Sequence, residues 1–305
     1  NRIANFGTIA ATGDGLTFGG IVENVGGTMN GVRFTFVSGG GFTGAGSIGA
    51  KVVAQQGSKF TITGNSTIGD GSTAGATIDG ELEINAGTLT INDSNGIGLG
   101  TLTTAHQGGT LLCTSVINMG SVPTPDVIQG DGEVAGVVNC AGVIRPGFAG
   151  QDETRELEFN ALNLFAGTGK GEIDIDLGGS AAADCDRVHC FGPAVLDGLL
   201  KVRLINGFAP DNGFRTSVIY SSDSMLGSFA STELPPRFHT EFDGAQIWVV
   251  YCAADVNNDG FVNGDDFDNL ASAFENGEAL GDFNGDGFIN GDDFDQFASA
   301  FEEGC

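Results

Sequence analysis

Two near-copies of an acidic segment stand near the C-terminal end of the chain, and they constrain its folding more than any other feature. The first copy runs from Asp255 to Asp266 and the second from Asp282 to Asp293. In each copy, oxygen-bearing side chains fall at positions 1, 3, 5, 9 and 12, and a glycine stands at position 6. Because the whole spacing occurs twice, it indicates a defined local structure rather than a merely acidic, solvated loop.

This spacing is that of the EF-hand calcium loop, in which position 7 contributes a backbone carbonyl and the glycine permits a sharp turn. The sequence therefore predicts two Ca²⁺ sites built from carboxylate, amide and carbonyl oxygens. The predicted ligands are Asp255, Asn257, Asp259, the carbonyl of Phe261, Asn263 and Asp266 in the first loop, and Asp282, Asn284, Asp286, the carbonyl of Phe288, Asn290 and Asp293 in the second.

A short amphipathic helix is predicted after each loop. Apolar residues recur there at the helical spacing i, i+3, i+4 and i+7. They are Phe267, Leu270, Ala271 and Phe274 after the first loop, and Phe294, Phe297, Ala298 and Phe301 after the second. The segment 252–305 carries 14 Asp plus Glu and no Lys, Arg or His. Such a charge repels itself without cations, so we expect its folding to depend on calcium.

The paired loops resemble those of the dockerin family, because position 12 is Asp where an EF-hand has Glu and each loop leads into one helix. The resemblance implies a cohesin-like protein as partner. The flanking residues, Cys-Ala-Ala-Asp and Glu-Glu-Gly-Cys, are similar to the dockerin-like modules of secreted planctomycete-type proteins, and this implies a Cys252–Cys305 disulfide that clasps the module. Loop positions 10 and 11, which help choose the cohesin in cellulosomal dockerins, are Gly264-Asp265 and Gly291-Asp292 and match no code that names a partner.

The rest of the chain is predicted to be β structure. Glycine supplies 52 of 305 residues and separates short segments of alternating polarity, such as 81–85 and 88–92. Hydrophobic residues make up 40%, which argues against disorder. We therefore predict a mainly β fold, with a Gly-rich β-solenoid (β-helix-like) over residues 1–150 and roughly twenty residues per coil. A β-sandwich is the alternative that the loose repeats leave open.

Residues 151–251 are predicted to be a β-rich continuation of the solenoid or a sandwich cap. Over about residues 130–250 the strand and turn types resemble autotransporter-passenger-like β-strand repeats, from the segment Gly132–Gly147 to the segment Leu199–Pro210, and this resemblance implies fold rather than activity. Because residues 252–254 are too few for a flexible linker, the dockerin-like module 252–305 is expected to sit close against the end of this section.

Charge and cysteine content limit the partners and the cellular compartment expected for the protein. A net charge of −27 with 12 Lys plus Arg excludes the basic patches that bind nucleic acid or anionic membranes. No apolar run is long enough to span a bilayer. Six cysteines favour an oxidising compartment. The sequence leaves their connectivity open among about 15 pairings, with Cys252–Cys305 as the first guess and Cys113–Cys140 as the second, and a buried free thiol is the alternative for each. We expect a secreted or cell-surface protein whose signal peptide has been removed.

Catalytic constellations are not evident. The acidic pairs Glu81/Glu83 and Asp174/Asp176 could form an acid/base couple, but we interpret them as solvated faces of half-buried strands. The histidines are isolated in sequence and are expected on exposed loops: His106, His189 and His239. The chain is therefore predicted not to be an enzyme.

The function predicted from these features is that of a calcium-stabilised extracellular structural or adhesive protein. An uncapped N-terminal solenoid end predicts head-to-tail self-association into filaments. The alternative is a dockerin-bearing protein that degrades or binds polysaccharide and docks to a cohesin-type scaffold. The predicted partners are thus a second copy, a cohesin-like protein or an extracellular polysaccharide.

Overall fold

The computed structural model describes residues 1–69, 71, 76–100, 102–105, 109–120, 125–148, 151–164 and 171–304. Alternating polarity forms the strands, as in the segment Thr88–Ile91, where Leu89 and Ile91 are buried and the two threonines are half-buried. The strand composition of the structure is 52%, so the prediction of a mainly β chain is confirmed.

The strands are short in most of the chain, and the pairings of the longest strands shift register part-way along. The first twelve are β1 Arg2–Asn5, β2 Thr8–Ala11, β3 Leu16–Phe18, β4 Ile21–Phe36, β5 Gly41–Ala54, β6 Lys59–Ile68, β7 Ala76–Ile78, β8 Glu81–Ile84, β9 Thr88–Ile91, β10 Ile97–Leu99, β11 Leu102–Ala105 and β12 Thr110–Met119. The others are β13 Val127–Gly130, β14 Glu133–Cys140, β15 Val143–Pro146, β16 Glu156–Leu164, β17 Glu172–Leu177, β18 Arg187–Cys190, β19 Ala194–Leu196, β20 Leu199–Leu204, β21 Arg215–Ser221, β22 Met225–Gly227, β23 Ser231–Glu233, β24 Phe238–Phe242 and β25 Gln246–Tyr251.

Almost all pairings are parallel and join residues distant in sequence. Ile21 lies beside Gly41, Gly41 beside Lys59 and Lys59 beside Glu81. This ladder continues through β11, β13, β15, β17 and β20 to β23. Among the strands listed above, β25 pairs antiparallel with β21 and β24.

The pairings close on themselves, because β5 pairs with both β6 and β7, β7 with β10, β10 with β12, β12 with β9 and β9 with β6. The described strands therefore form a closed parallel barrel, and the prediction of a β-solenoid is wrong. The alternative of a β-sandwich does not fit either, because its sheets would be antiparallel. Period-two alternation and glycine turns are common to all these folds, so they did not reveal which strands pair.

One apolar core lies inside the wall of strands and runs from Ala11 to Val249. Phenylalanines fill its N-terminal part, where the rings of Phe36 and Phe60 meet edge to face at 4.8 Å between centroids. At a corner of the wall, the buried side chain of Asn24 accepts from Asn5 Nδ2 at 2.7 Å and donates to the carbonyls of Gly27 and Ala45.

The predicted Cys113–Cys140 disulfide is wrong, since both residues are buried free thiols. Cys113 lies in the part of β12 that pairs with β9. Cys140 lies in the part of β14 that pairs with the other end of β12, which in turn pairs with β10. The two thiols therefore face different parts of the core. Cys185 and Cys190 are also free. Burial raises the pKa of the Cys140 and Cys190 thiols to about 12, which leaves both protonated at neutral pH. Cys252 takes part in a disulfide bond, and its predicted partner Cys305 lies outside the described residues.

The C-terminal part contains the two predicted helices, α1 Gly264–Asn276 and α2 Gly291–Glu303. They share a separate small core that includes Ala254, Leu270 and Phe297. Among the described residues, no helix is long and apolar enough to cross a membrane. The domain boundaries at 150 and 251 stay predictions.

Candidate functional site

The first predicted calcium loop is held by local hydrogen bonds, in which backbone N–H groups donate to side chains of the same loop. The two carboxylate oxygens of Asp255, which is fully buried, accept from the N–H groups of Asp259 at 3.0 Å and Gly260 at 2.9 Å. Asn257 Oδ1 also accepts from Asp259, at 2.9 Å. The backbone turns through positive φ at Asn258 (59°) and at Gly260 (85°). Glycine at position 6 suits the turn, because positive φ strains most side chains, with Asn among the residues that tolerate it best.

The second loop repeats these contacts with its own residues. Asp282 accepts from the N–H groups of Asp286 at 3.1 Å and Gly287 at 2.9 Å. Asn284 Oδ1 accepts from Asp286 at 2.8 Å, and the positive φ values fall at Gly285 and Gly287. The structure therefore gives two loops of one geometry, as the repeated spacing indicated.

The last residue of each loop, Asp266 or Asp293, is buried in the first turn of the following helix. Each forms a capping box with the Asn at loop position 9, at which the carboxylate accepts from the Asn263 N–H at 2.9 Å or the Asn290 N–H at 2.8 Å. These backbone donors, Asn290 first and Asn284 among the others, hold the pKa of Asp293 below its ordinary value. The helix thus carries the short Asp carboxylate to the loop, where an EF-hand uses the longer Glu.

The residues of each loop fit a hard divalent cation. The predicted donors are three carboxylates, two side-chain amides and one backbone carbonyl, all of them oxygen ligands of the type that Ca²⁺ prefers. Among the described residues, the only basic side chain within ion-pair distance of a predicted ligand is His239. A bound Ca²⁺ would supply the positive charge that the loops lack. Whether the twelve predicted residues act as ligands stays a prediction.

Several contacts fix the loops to the end of the barrel. Nδ1 of His239 on β24 lies 3.8 Å from Oδ2 of Asp255. The guanidinium of Arg237 stacks over the ring of Phe283 at 4.3 Å, and the Arg237 N–H donates to Asn258 Oδ1. Asn212 accepts from the Ala253 N–H at 2.9 Å and donates to the Gly304 carbonyl at 3.0 Å. These contacts hold both ends of the 252–304 segment against the barrel.

The two acidic pairs considered as an acid/base couple are engaged in ion pairs. Lys59 Nζ lies 3.3 Å from Glu81 and 2.7 Å from Glu83. Arg145 Nη2 lies 2.6 Å from Asp174, and Arg203 Nε lies 2.9 Å from Asp176.

The interpretation of Asp174 and Asp176 as a solvated face is wrong, because their exposures are only 3% and 7%. Neighbouring Glu172 is half-buried, and its pKa is raised to about 7. Burial is the larger cause of this rise, and contact with Asp174 is the second. Burial also raises the pKa of Asp186 to about 8, although its oxygens accept from the backbone N–H groups of Arg155 and Asp176.

The structure corrects the expectation that the histidines lie on exposed loops. His189 belongs to β18 and is 9% exposed, and His239 belongs to β24 with a side chain 15% exposed. His106 lies outside the described residues. His189 faces Glu156 and Glu158 on the adjacent strand β16, a grouping that was not predicted from the sequence. In the sequence, this grouping is indicated only by the Glu-x-Glu and Arg-x-His alternation of the two strands. That signal can be interpreted only when the pairing of β16 with β18 is known.

Comparisons with known proteins identify no family for this chain. No protein-family model matches it, and no match is found among the curated proteins. The likeness of the loops to dockerins therefore rests on the residues of the two loops alone.

Proposed function

We propose that this protein is a calcium-stabilised extracellular protein without catalytic activity, in which the paired loops 255–266 and 282–293 bind one Ca²⁺ each. The observation that carries the proposal is the matching backbone geometry of the two loops, including positive φ at positions 4 and 6 and a buried Asp at position 12. A merely acidic surface segment has no reason to adopt this geometry twice.

The role proposed for calcium is to hold the C-terminal helices and the end of the barrel together. Each loop places three carboxylates within one short segment, and residues 252–305 include no lysine or arginine to neutralise them. Since Asp255 is fully buried and touches His239 of β24, ordering of the first loop also orders its junction with the barrel.

We further propose that the same segment is a docking surface for a protein partner, either a cohesin-like protein or a second copy of the chain. Phe261 and Phe288, the residues at loop position 7, are 70% and 71% exposed. Each acidic loop thus exposes one large apolar side chain at an equivalent position, which suits a partner with apolar pockets and a basic rim.

The test is a calcium titration of the purified chain, stripped of metal, by isothermal titration calorimetry. The expected result is two sites per chain and a rise in melting temperature that EDTA reverses. A stoichiometry of zero, or a melting temperature that EDTA leaves unchanged, would rule out the calcium proposal. Sedimentation of the same samples with Ca²⁺ tests self-association, and a monomer at all concentrations would leave a foreign protein as the partner to seek.

A further inference from the structure

A cluster of one histidine and two glutamates lies on the outer side of the barrel, far along the chain from the calcium loops. Glu156 and Glu158 occupy alternate positions of β16, and β18 pairs with it so that Arg187 lies beside Glu156 and His189 beside Glu158. β21 follows in the same ladder and places Tyr220 beside His189. Three neighbouring parallel strands thus bring these side chains to one place.

The His189 ring is held firmly and in one orientation. It stacks on Tyr220 at 4.2 Å between centroids with an interplanar angle of 12°, and Phe191 covers it at 4.3 Å. Its Nε2 lies 3.0 Å from Ser222 Oγ. These neighbours leave Nδ1 as the ring nitrogen that points at the two glutamates.

The spacing around Nδ1 leaves a gap between the nitrogen and the carboxylates. Nδ1 lies 3.9 Å from Glu156 Oε1 and 3.7 Å from Glu158 Oε1, which is too far for a direct hydrogen bond. Two ligands of one tetrahedral ion, each bound at about 2.0–2.2 Å, stand roughly 3.3 Å apart, so a small inward movement of the glutamates would complete such a cage.

The charges of the cluster also call for a cation. Arg187 and the Tyr220 hydroxyl both bind Glu156, whereas the only ion-pair neighbour of Glu158 among the described residues is His189. If Nε2–H donates to Ser222, the lone pair of Nδ1 faces both carboxylates. Arg187 and Tyr220 offset the negative charge of Glu156, whereas a positive ion in the gap would also offset that of Glu158. A second hydrogen bond that fixes the tautomer of a ligating histidine is the usual companion of a metal site.

We propose that Glu156, Glu158 and His189 form a binding site for a divalent transition-metal ion, with Zn²⁺ as the best match to one imidazole and two carboxylates. The glutamate side chains are 27% and 39% exposed, so water has access to the remaining coordination position. The site is independent of the calcium loops, which contain oxygen donors only.

The experiment is calorimetric titration of the full chain with Zn²⁺, in buffer that contains enough Ca²⁺ to saturate the two loops. We expect one Zn²⁺ site in the unaltered protein, lost in His189→Gln and weakened at least tenfold in Glu158→Gln. The matched controls are His239→Gln and Glu83→Gln, which alter a histidine and a glutamate of other clusters and should leave Zn²⁺ binding unchanged. Circular dichroism spectra that match the unaltered protein show that each variant is folded.

Two results would overturn the site. The first is Zn²⁺ binding of the same stoichiometry and affinity in His189→Gln as in the unaltered chain. The second is no Zn²⁺ uptake by the unaltered, folded chain. Co²⁺ provides a second readout, because its visible absorption should change on binding and should be absent in His189→Gln but present in His239→Gln.

Discussion

Nδ1 of His239 lies 3.8 Å from Oδ2 of Asp255, which places the penultimate strand of the barrel against the first residue of the first calcium loop. Asp255 is fully buried and both of its oxygens accept backbone hydrogen bonds within the loop. The end of the barrel and the first loop therefore share one packed junction, so a change in the loop also changes the packing of β24.

The two calcium sites are expected to be separable by single substitutions. Asp266→Asn should abolish binding at the first loop and leave the second, because it removes a carboxylate from the buried end of the ligand set. Calorimetric titration should then show one Ca²⁺ instead of two. The control is Asp265→Asn, since Asp265 is exposed and is not among the predicted ligands. Loss of a site in the control as well as in Asp266→Asn would contradict the ligand assignment.

Phenylalanine packing should dominate the stability of the N-terminal part of the barrel. Phe60 is fully buried and contacts the rings of Phe36 and Phe42 at centroid distances of 4.8 and 5.8 Å. Phe60→Ala should lower the free energy of unfolding by about 3–5 kcal/mol, as expected for a cavity in a closed core. Urea unfolding measures it. Phe6→Ala removes a ring that is 75% exposed and should change the same quantity by less than about 0.5 kcal/mol.

The amide of Asn24 is expected to fix one corner of the barrel. Asn24→Ala leaves the carbonyls of Gly27 and Ala45 without the donor that they have at 2.8 and 2.7 Å. Each unsatisfied buried group costs about 1–3 kcal/mol, so unfolding should require markedly less urea than in the unaltered protein. The nearby Asn30 is exposed, and Asn30→Ala serves as the comparison. Equal stability of the two variants would show that the corner hydrogen bonds contribute nothing.

Stability should decrease as pH rises because of Asp186. Its pKa in the folded protein is about 8, raised by burial from an ordinary value of 3.8. Between these two values the unfolded chain has lost a proton that the folded chain retains, so folding is progressively disfavoured by about 1.4 kcal/mol per pH unit. The stabilisation from protonated Asp186 is fully present below pH 3.8 and is lost as pH rises through about 8.

Thermal unfolding from pH 6 to pH 9 with saturating Ca²⁺ checks this dependence. The unaltered protein should lose stability up to about pH 8 and change less above it. Asp186→Asn, which has no proton to release, should show a flatter profile over the same range even if its stability is lower throughout. Parallel profiles for the two proteins would mean that Asp186 is already ionised at pH 6.

The local features of the two loops were predictable because their hydrogen bonds join residues within one loop, from Gly260 to Asp255 and from Asn257 to Asp266 for example. The two helices were predictable for a similar reason, since their apolar residues fall at helical spacing. Burial of Asp174 and Asp176 was not predictable, because alternation in one strand does not show what covers its outer side. The free state of Cys113 and Cys140 was equally hidden, since it depends on which part of the wall each strand occupies.

The sequence by itself determined the β character of residues 1–251, the two C-terminal helices and the repeated loop geometry of residues 255–293. Only the tertiary structure decided that the strands close into a parallel barrel, that His239 meets Asp255, and that His189 faces Glu156 and Glu158. The physical reason is the distance in sequence over which each contact acts. Loop and helix contacts join near neighbours, whereas Glu158 meets His189 only through a strand register that loose glycine-rich repeats do not specify.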